Sequence, residues 1–357
     1  MAMKEATPGL PAQSSAAPRL QIGNYRKELG IFALLVVLCI ATSLKSPQFF
    51  SVGNMQNLAR LVGIYGIFSI GMGIVIITSG IDLTVGSVFA LEGVLLAMAL
   101  SDHHWPAALA IIAILGFTML LGTIHGLLIT RVPLQPFIVT LCGLLIYRGL
   151  ARFISQDETK GFGDAHGFEM LQLLATKSVA IGHANGGSGP LNIILGSEGI
   201  PMAFVIMLVI SVIMWIILHR SVYGRYLYAI GRNEEAARYS GINSKAVITS
   251  AYVVSGLLGG IAGILLAFFT NSISPSSHGN SFELYGIAAA VVGGCSLRGG
   301  EGSVIGILIG TALIQVLQNL VNLCNIPTSL NFSVVGAVIL LGVITDEIVK
   351  KRSAKVK

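Results

Sequence analysis

The stretch Arg220–Lys245 reads RSVYGRYLYAIGRNEEAARYSGINSK and interrupts a chain otherwise dominated by lipid-compatible residues. A long apolar run precedes it and another follows it, so this polar segment connects two membrane-crossing helices. It carries five cations, namely Arg220, Arg225, Arg232, Arg238 and Lys245. Because connections rich in Lys and Arg stay on the cytoplasmic side of a membrane, we predict that residues 220–245 form a cytoplasmic loop.

Part of this loop has the composition of a short helix. In Asn233–Tyr239 (NEEAARY) the first residue suits an N-cap, two carboxylates follow in the first turn, and Arg238 lies near the C-terminus. Gly241 then acts as a stop. A short surface helix held by two spans moves with them as one body, so it suits the transmission of movement between a soluble partner and the membrane part.

Composition identifies an integral membrane protein. The chain is 54% hydrophobic and only 11% charged, with a mean hydropathy of +0.82, whereas about a quarter of the residues of a soluble domain are charged. The net charge of +6 lies mostly at the ends of apolar runs and in the tails, so topology explains it better than nucleic-acid binding does. The four cysteines are isolated and show no metal-site spacing, so we expect no metal.

Ten apolar runs approach the length of about twenty residues that a transmembrane helix needs. They are Leu29–Leu44, Leu58–Ser79, Val85–Leu100, Pro106–Thr130, Phe137–Phe153, Pro201–Leu218, Ala246–Thr270, Leu284–Gly294, Gly302–Val321 and Thr328–Ile344. The eighth run is short and begins further back or is partly re-entrant. We therefore predict an all-α, polytopic membrane protein whose transmembrane domain covers residues 29–345.

An even number of spans places both tails on one side. Residues 1–28 are predicted to form a disordered cytoplasmic tail and residues 346–357 a basic cytoplasmic tail, because Arg and Lys flank the first and last spans. The long segment 155–200 is Gly-rich in part and has only a weak apolar pattern, so we predict an outside loop. Lys45 and Arg60, at the edges of the first outside connection, depart from the charge rule.

Two segments resemble each other and suggest an internal repeat. IYGIFSIGMGIVIITSGIDLTVGSV from Ile64 and LYGIAAAVVGGCSLRGGEGSV from Leu284 both run from Tyr-Gly through an apolar stretch and a polar, Gly-rich break to Gly-Ser-Val. A parallel repeat requires both breaks to lie on the same side, which the predicted topology provides. Chance similarity between Gly-rich spans remains the alternative.

Few residues within the spans could carry chemistry. Ionisable groups in apolar surroundings are functional hypotheses by default, and here they are Asp82, Glu92, His125, Arg148 and Glu283. Asp82 suits a helix cap better than a direct role in transport. Glu92 and Arg148 suit a structural ion pair between spans at least as well as a pathway lining. Because titratable carboxylates are scarce and no phosphate-binding loop of the G-x-x-x-x-G-K-[ST] type occurs, an external energy source is favoured.

Four long motifs resemble one known family. They are SGIDLTVGSVFAL from Ser79, HGLLITRVPLQPFIVTLCGLLIYRGL from His125, YGRYLYAIGRNEEAARYSGI from Tyr223 and GGCSLRGGEGSVIGILIG from Gly293. In order and spread they are similar to the permease subunits of bacterial ATP-binding-cassette importers for monosaccharides, the ribose, xylose, arabinose and galactose group. The resemblance covers nearly the whole apolar chain, but it does not specify the sugar. Segment 155–200 is longer than this family leads us to expect.

The resemblance implies an architecture and partners. It implies a bundle of about ten helices similar to the vitamin-uptake permeases, two copies forming a pore in the bacterial inner membrane, and a periplasmic sugar-binding protein that docks outside. A separate cytoplasmic ATPase would bind ATP and Mg²⁺, so this chain is expected to be non-catalytic and without cofactors. The positions that match the family's coupling loop are Glu234, Glu235, Ala236, Ala237, Arg238 and Gly241.

Two other readings differ in kind. A secondary carrier or facilitator for small polar solutes would work without the ATPase. An intramembrane enzyme is disfavoured, because no nucleophile with an adjacent base and no metal-ligand spacing is visible within the spans. Ribose, or a related sugar, is the preferred substrate.

Overall fold

The computed structural model describes residues 22–163, 167–179 and 199–327, with a few isolated positions beyond them. The regular secondary structure in these ranges is helical, apart from a two-stranded antiparallel pairing between Ser178–Val179 and Ile200–Pro201. The prediction of an all-α membrane protein is confirmed.

Twelve α-helices follow one another in the described ranges. They are α1 (Ile22–Lys45), α2 (Val52–Ile77), α3 (Val85–Ala97), α4 (Ala107–Arg131), α5 (Pro136–Ser155), α6 (Glu169–Thr176), α7 (Met202–Arg220), α8 (Val222–Arg232), α9 (Glu234–Tyr239), α10 (Ser244–Thr270), α11 (Phe282–Val292) and α12 (Val304–Leu323). A 3₁₀ turn, Pro47–Phe50, precedes α2, and a π-helical turn, Met98–Asp102, extends α3.

Eight helices in the described part of the chain are long and apolar enough to cross a membrane. They correspond to the predicted spans one to seven and nine. The predicted eighth span begins at α11, which has 11 residues and is preceded by the non-helical segment 271–281. This helix does not begin further back, which fits the alternative of a partly re-entrant span, and we call 271–281 the re-entrant segment. The predicted tenth span and the basic tail 346–357 lie almost entirely outside the described residues. Helix α1 begins at Ile22, so residues 22–28, predicted as disordered tail, are helical.

Helix α2 forms the centre of the bundle. From Val62 to Ile77 each of its residues is buried, and it packs against α7, α10, α11 and α12. Its Tyr65 and Phe68 meet Phe282 of α11 with ring centroids 4.7 and 6.1 Å apart, and Phe68 meets Phe89 of α3 at 5.4 Å. Aromatic pairs at such distances add about 0.5–1.5 kcal/mol each beyond the burial of their area, so this cluster holds α3 and α11 against α2.

Small residues allow α4 and α10 to pack closely. A Cβ atom at Gly126 would lie 2.6 Å from the Cα of Thr249, and a Cβ at Gly122 or Gly256 would overlap with the Tyr252 and Thr118 carbonyl groups, respectively. Close approach of helix backbones through glycine is the packing mode that works in lipid, where water exclusion does not drive association.

Two non-helical breaks, one after α2 and one before α12, lie at the same end of the bundle. The Ser79 hydroxyl donates to the Arg298 carbonyl oxygen at 2.9 Å, and the Gly300 amide donates to the Ile77 carbonyl oxygen at 2.9 Å. Both breaks also contact Gly231, next to α9. We call this the α9 end. The two breaks of the predicted repeat are therefore on the same side, as the sequence comparison required.

The predicted outside loop 155–200 lies at the opposite end and is ordered where it is described. It contains α6 and the first strand of the pairing. Arg60 of α2 donates to the Thr176 carbonyl oxygen at 2.9 Å and lies 5.2 Å from the ring centroid of Phe269. The backbones of Lys160 and Ile273 form two hydrogen bonds, of 3.0 and 2.7 Å. Arg60, which departed from the charge rule, thus anchors this loop.

We expect Gly122→Ala to destabilise the bundle, because its new methyl group would meet the backbone of α10. Overpacking of this kind costs about 1–3 kcal/mol. Gly116→Ala is the matched control, since it lies on the same helix with no atom within 4 Å of the added Cβ. Thermal unfolding in detergent should show a lower midpoint for Gly122→Ala than for Gly116→Ala, and equal midpoints would contradict the close packing.

Candidate functional site

Helix α9 forms where the sequence predicted it. The Asn233 side chain accepts a hydrogen bond from the Ala236 amide at 2.9 Å and so caps the helix. Gly241 follows in a left-handed conformation with φ +85°, which only glycine adopts without cost. The predicted start and stop signals of this helix are both confirmed.

The α9 side chains divide into an anchoring face and a free face. Ala237 is buried against the bundle, and Glu234 accepts a hydrogen bond of 3.0 Å from Ser244, the first residue of α10. Glu235, Ala236 and Arg238 are exposed. Tyr239 is 83% exposed, an unusual position for an aromatic residue. One face of α9 is therefore bonded to the bundle, and the other is uncovered in the described part of the chain.

Beneath α9, three segments of the chain meet in what we call the break junction, which consists of Ile77–Ser79, Tyr228–Arg232 and Ser296–Gly302. Ser79 is left-handed, with φ +64°, and its hydroxyl has the Gly231 carbonyl oxygen at 3.3 Å as a second acceptor beside Arg298. The Tyr228 hydroxyl donates to the Gly302 carbonyl oxygen at 2.8 Å.

Gly231 makes this junction possible. A Cβ there would overlap with the Ile77 carbonyl oxygen and the Gly300 amide, so any side chain would separate α8 from both breaks. Helix α8 runs directly into α9 through Arg232 and Asn233, so α9 is one turn away from the contacts that join α8 to the ends of α2 and α12. The sequence placed Gly231 in the loop but carried no local signal for these long-range contacts.

A second site, the central polar cluster, lies inside the bundle between α3, α4, α5 and α10. Asp82 is buried and accepts hydrogen bonds from the Thr84 amide at 2.9 Å, the Thr84 hydroxyl at 2.6 Å and the Ser255 hydroxyl at 3.3 Å. Thr84 itself is the N-cap residue of α3. Asp82 thus orders the extended segment that leads into α3 and does not cap the helix by its own side chain.

The same cluster includes His125, whose Nε2 lies 2.7 Å from the Tyr147 hydroxyl. Beside Asp82 is a cavity of about 20 Å³, lined also by Thr118, His125 and Tyr252. A cavity of this size holds about one water molecule. It has no room for a sugar.

Arg148 of α5 binds backbone and not a carboxylate. Its guanidinium donates to the carbonyl oxygens of Pro275 at 3.1 Å, His278 at 2.8 Å and Gly86 at 3.1 Å. The Glu283 carboxyl lies against Gly86 on the other side. Arg148 therefore ties the re-entrant segment 271–281 to α3.

Glu92 lies apart from these residues. It is fully buried on α3 against Gly263 of α10, where a Cβ would overlap with its carboxyl group, and neither of its oxygens has a hydrogen-bond partner in the described part of the chain. Within the described ranges neither Glu92 nor Arg148 forms the ion pair that the sequence suggested.

At the end of the bundle opposite α9, a surface depression of about 680 Å³ lies beside the C-terminus of α5. Its lining includes Arg152, Phe153, Gln156 and Asp157. Arg152 donates two hydrogen bonds to the Asp157 carboxylate, of 2.7 and 2.9 Å, and this contact lowers the pKa of Asp157. No group of three or more His, Cys, Asp or Glu that could hold a metal occurs in the ranges that the structure covers.

Arg148→Lys should loosen the re-entrant segment. An ammonium keeps the charge but cannot reach three carbonyl oxygens with the fixed geometry of a guanidinium, and each buried acceptor left without a partner costs about 1–3 kcal/mol. We expect faster hydrogen–deuterium exchange in residues 271–281. Arg152→Lys is the matched control, because its partner Asp157 is exposed. Exchange no faster than in that control would show that Arg148 does not hold the segment.

Comparison with known proteins found similarity along nearly the whole chain. The family described as the permease component of the branched-chain amino acid transport system matches residues 54–343. The ribose import permease protein of Bacillus subtilis is 37% identical over 337 residues, covering 94% of this chain and 97% of that protein. The ribose import permease protein of Haemophilus influenzae is 36% identical, covering 91% and 95%.

The xylose transport system permease protein of Escherichia coli is 33% identical and covers 90% of this chain and 92% of its own. No solved structure matches. These matches span both candidate sites and confirm the family resemblance read from the sequence motifs. The chain belongs to the family of permease subunits of bacterial ATP-binding-cassette monosaccharide importers.

Proposed function

We propose that this chain is the membrane-spanning subunit of an ATP-driven importer, and that it carries a monosaccharide by alternating access. Relatives named as ribose and xylose permeases support a pentose, with ribose as the preferred substrate. The observation that carries the proposal is α9, a capped surface helix whose free face is available to a soluble partner while its other face is bonded to α10.

The energy source in this proposal is a separate cytoplasmic ATPase. It binds ATP and Mg²⁺, since this chain has no phosphate-binding loop in its sequence. The ATPase binds the free face of α9, which consists of Glu235, Ala236, Arg238 and Tyr239. Glu235 and Arg238 offer opposite charges there, which gives the contact a defined register.

The break junction supplies the transmission. Movement of α9 passes through α8 to the ends of α2 and α12. The two breaks share the backbone hydrogen bond from Gly300 to Ile77, and the hydroxyl groups of Ser79 and Tyr228 join them to α8. Rigid-body movement of packed helices is a common form of switching in transporters. When the ATPase closes and opens, the helices that surround the pathway therefore tilt.

The sugar passes between two copies of the chain. The cavity in the central polar cluster, about 20 Å³, is too small for a monosaccharide, which favours a pathway at the surface shared with a second permease chain. The charge pattern supports the orientation in the bacterial inner membrane, with the α9 end in the cytoplasm. A periplasmic sugar-binding protein then docks at the opposite end, on the surface that includes α6.

Gly241→Val and Glu235→Lys should each abolish sugar-stimulated ATP hydrolysis by the complex assembled with its ATPase and binding protein. A β-branched residue is strained at φ +85°, and Lys reverses the charge of an exposed contact. Gly116→Val, on the exposed surface of α4, and Glu235→Asp, which keeps the charge, serve as controls. Unchanged stimulation in both α9 variants would remove this helix from the coupling mechanism.

The proposed orientation is tested by labelling. In a variant without the four native cysteines, a cysteine replaces Tyr239 or Glu158, whose side chain is 68% exposed. A membrane-impermeant maleimide added to intact cells freed of their outer membrane should label position 158 only. It should label both positions after the cells are lysed. Labelling of position 239 in intact cells would refute the proposed orientation.

A further inference from the structure

The end of α7 and the outer face of α8 form a surface that no contact within the described chain covers. Helix α7 has 19 residues, a length of about 28 Å at 1.5 Å per residue, which matches a hydrocarbon core of about 30 Å. Exposed apolar residues follow one stripe along it, namely Leu208, Val209, Val212, Ile213 and Ile216. This stripe has the length and composition of a surface that faces lipid chains.

The stripe continues into aromatic and basic groups. His219 and Arg220 occupy its next turn, and the Arg220 guanidinium lies 5.6 Å from the ring centroid of Trp215. The His219 ring stacks on the same indole with centroids 5.6 Å apart. Trp is enriched where hydrocarbon gives way to headgroups, so this turn of α7 lies at the membrane boundary.

Helix α8 extends the surface sideways. The Ser221 hydroxyl accepts from the Gly224 amide at 3.1 Å and caps the helix. Gly224, Leu227 and Ile230 are buried against the bundle, while the opposite face exposes Val222, Arg225 and Tyr226. An apolar residue, an aromatic ring and a cation on one exposed helix face are typical of a helix that lies in the membrane interface.

The charges on this surface are of one sign. The chain from Met202 to Arg232 contains no Asp or Glu, and Arg220 and Arg225 have no carboxylate partner in the described ranges. Guanidinium groups bind phosphate oxygens in two-pronged geometry. A neutral lipid surface would leave these cations without a counter-charge, so the chemistry favours an anionic headgroup.

We propose that Trp215, Arg220, Val222, Arg225 and Tyr226 form a binding site for an anionic phospholipid. The acyl chains lie along the exposed stripe of α7, the phosphate lies between the two guanidinium groups, and Trp215 and Tyr226 flank the glycerol region. Because α8 leads directly into α9, the lipid holds the coupling segment at a fixed depth. The site itself does not depend on which sugar is carried or on which leaflet it faces.

The fluorescence of Trp215 reports directly on lipid contact at this site. The chain has two tryptophans, so Trp105→Phe leaves Trp215 alone, and brominated lipids quench tryptophan fluorescence on contact. The probes are brominated phosphatidylglycerol and brominated phosphatidylcholine, each at low fraction in nanodiscs of unlabelled phosphatidylcholine. We expect stronger quenching by the anionic lipid, which weakens at high salt. Inorganic phosphate should not displace it.

Replacing the arginines separates this site from general attraction to anionic membranes. A cation that is merely near the surface contributes about fivefold in lipid affinity, and a guanidinium that binds the phosphate directly contributes more. Arg220→Gln and Arg225→Gln should therefore each lower the preference by more than about fivefold, whereas Arg131→Gln, which removes a cation of α4 at the same end of the bundle, should lower it by no more than that. Thermal unfolding confirms that each variant is folded. Equal quenching by both lipids, displacement by phosphate, or an equal loss in Arg131→Gln would overturn the proposal.

Discussion

Hydrogen bonds between the non-helical segment after α2 and the one before α12 are the constraint on which the α9 end of this molecule depends. A helix that ends inside a protein leaves carbonyl groups that need partners, and at Ile77 the partner is the amide of Gly300. Ser79 completes the link through the Arg298 carbonyl oxygen. The ends of α2 and α12 are thereby held as one unit, and Gly231 brings α8 close enough to belong to it. Without that unit, α9 would be linked to the core only through its contacts with α10 and the burial of Ala237.

The sequence predicts local features of this arrangement and misses those that depend on distant partners. Asn233 and Gly241 mark the ends of α9 because capping is decided within four residues. Arg148 shows the opposite case. Its position within an apolar run suggested a carboxylate partner, but a re-entrant segment offers carbonyl groups that a helix would have satisfied internally. Only the fold shows that residues 271–281 are non-helical at that point, so composition could not reveal the real acceptors.

Glu92 is a buried carboxyl group whose oxygens have no hydrogen-bond partner in the described part of the chain. Burying a carboxyl group without a hydrogen bond is costly, yet Gly263 makes room for this group against α10. An apolar residue of similar size would fill the same space without that cost. An ionisable residue inside a membrane protein under these conditions is a candidate for function, and Glu92 makes the contact between α3 and α10 polar at Gly263.

In the proposed alternating access, the two interrupted spans would allow a rearrangement without unfolding. Helices α3 and α11 each begin inside the bundle, after the non-helical segments 78–84 and 271–281, and Arg148 of α5 ties segment 271–281 to the first turn of α3 through the carbonyl oxygens of His278 and Gly86. A continuous helix would have to bend to change its tilt, whereas a helix preceded by a non-helical segment can pivot at that segment. Asp82 lies in the first of these segments, Glu283 lies in the first turn of α11, and Arg148 contacts both the second segment and the start of α3. In the proposed cycle these three polar residues would hold the helix starts in place while the helices move.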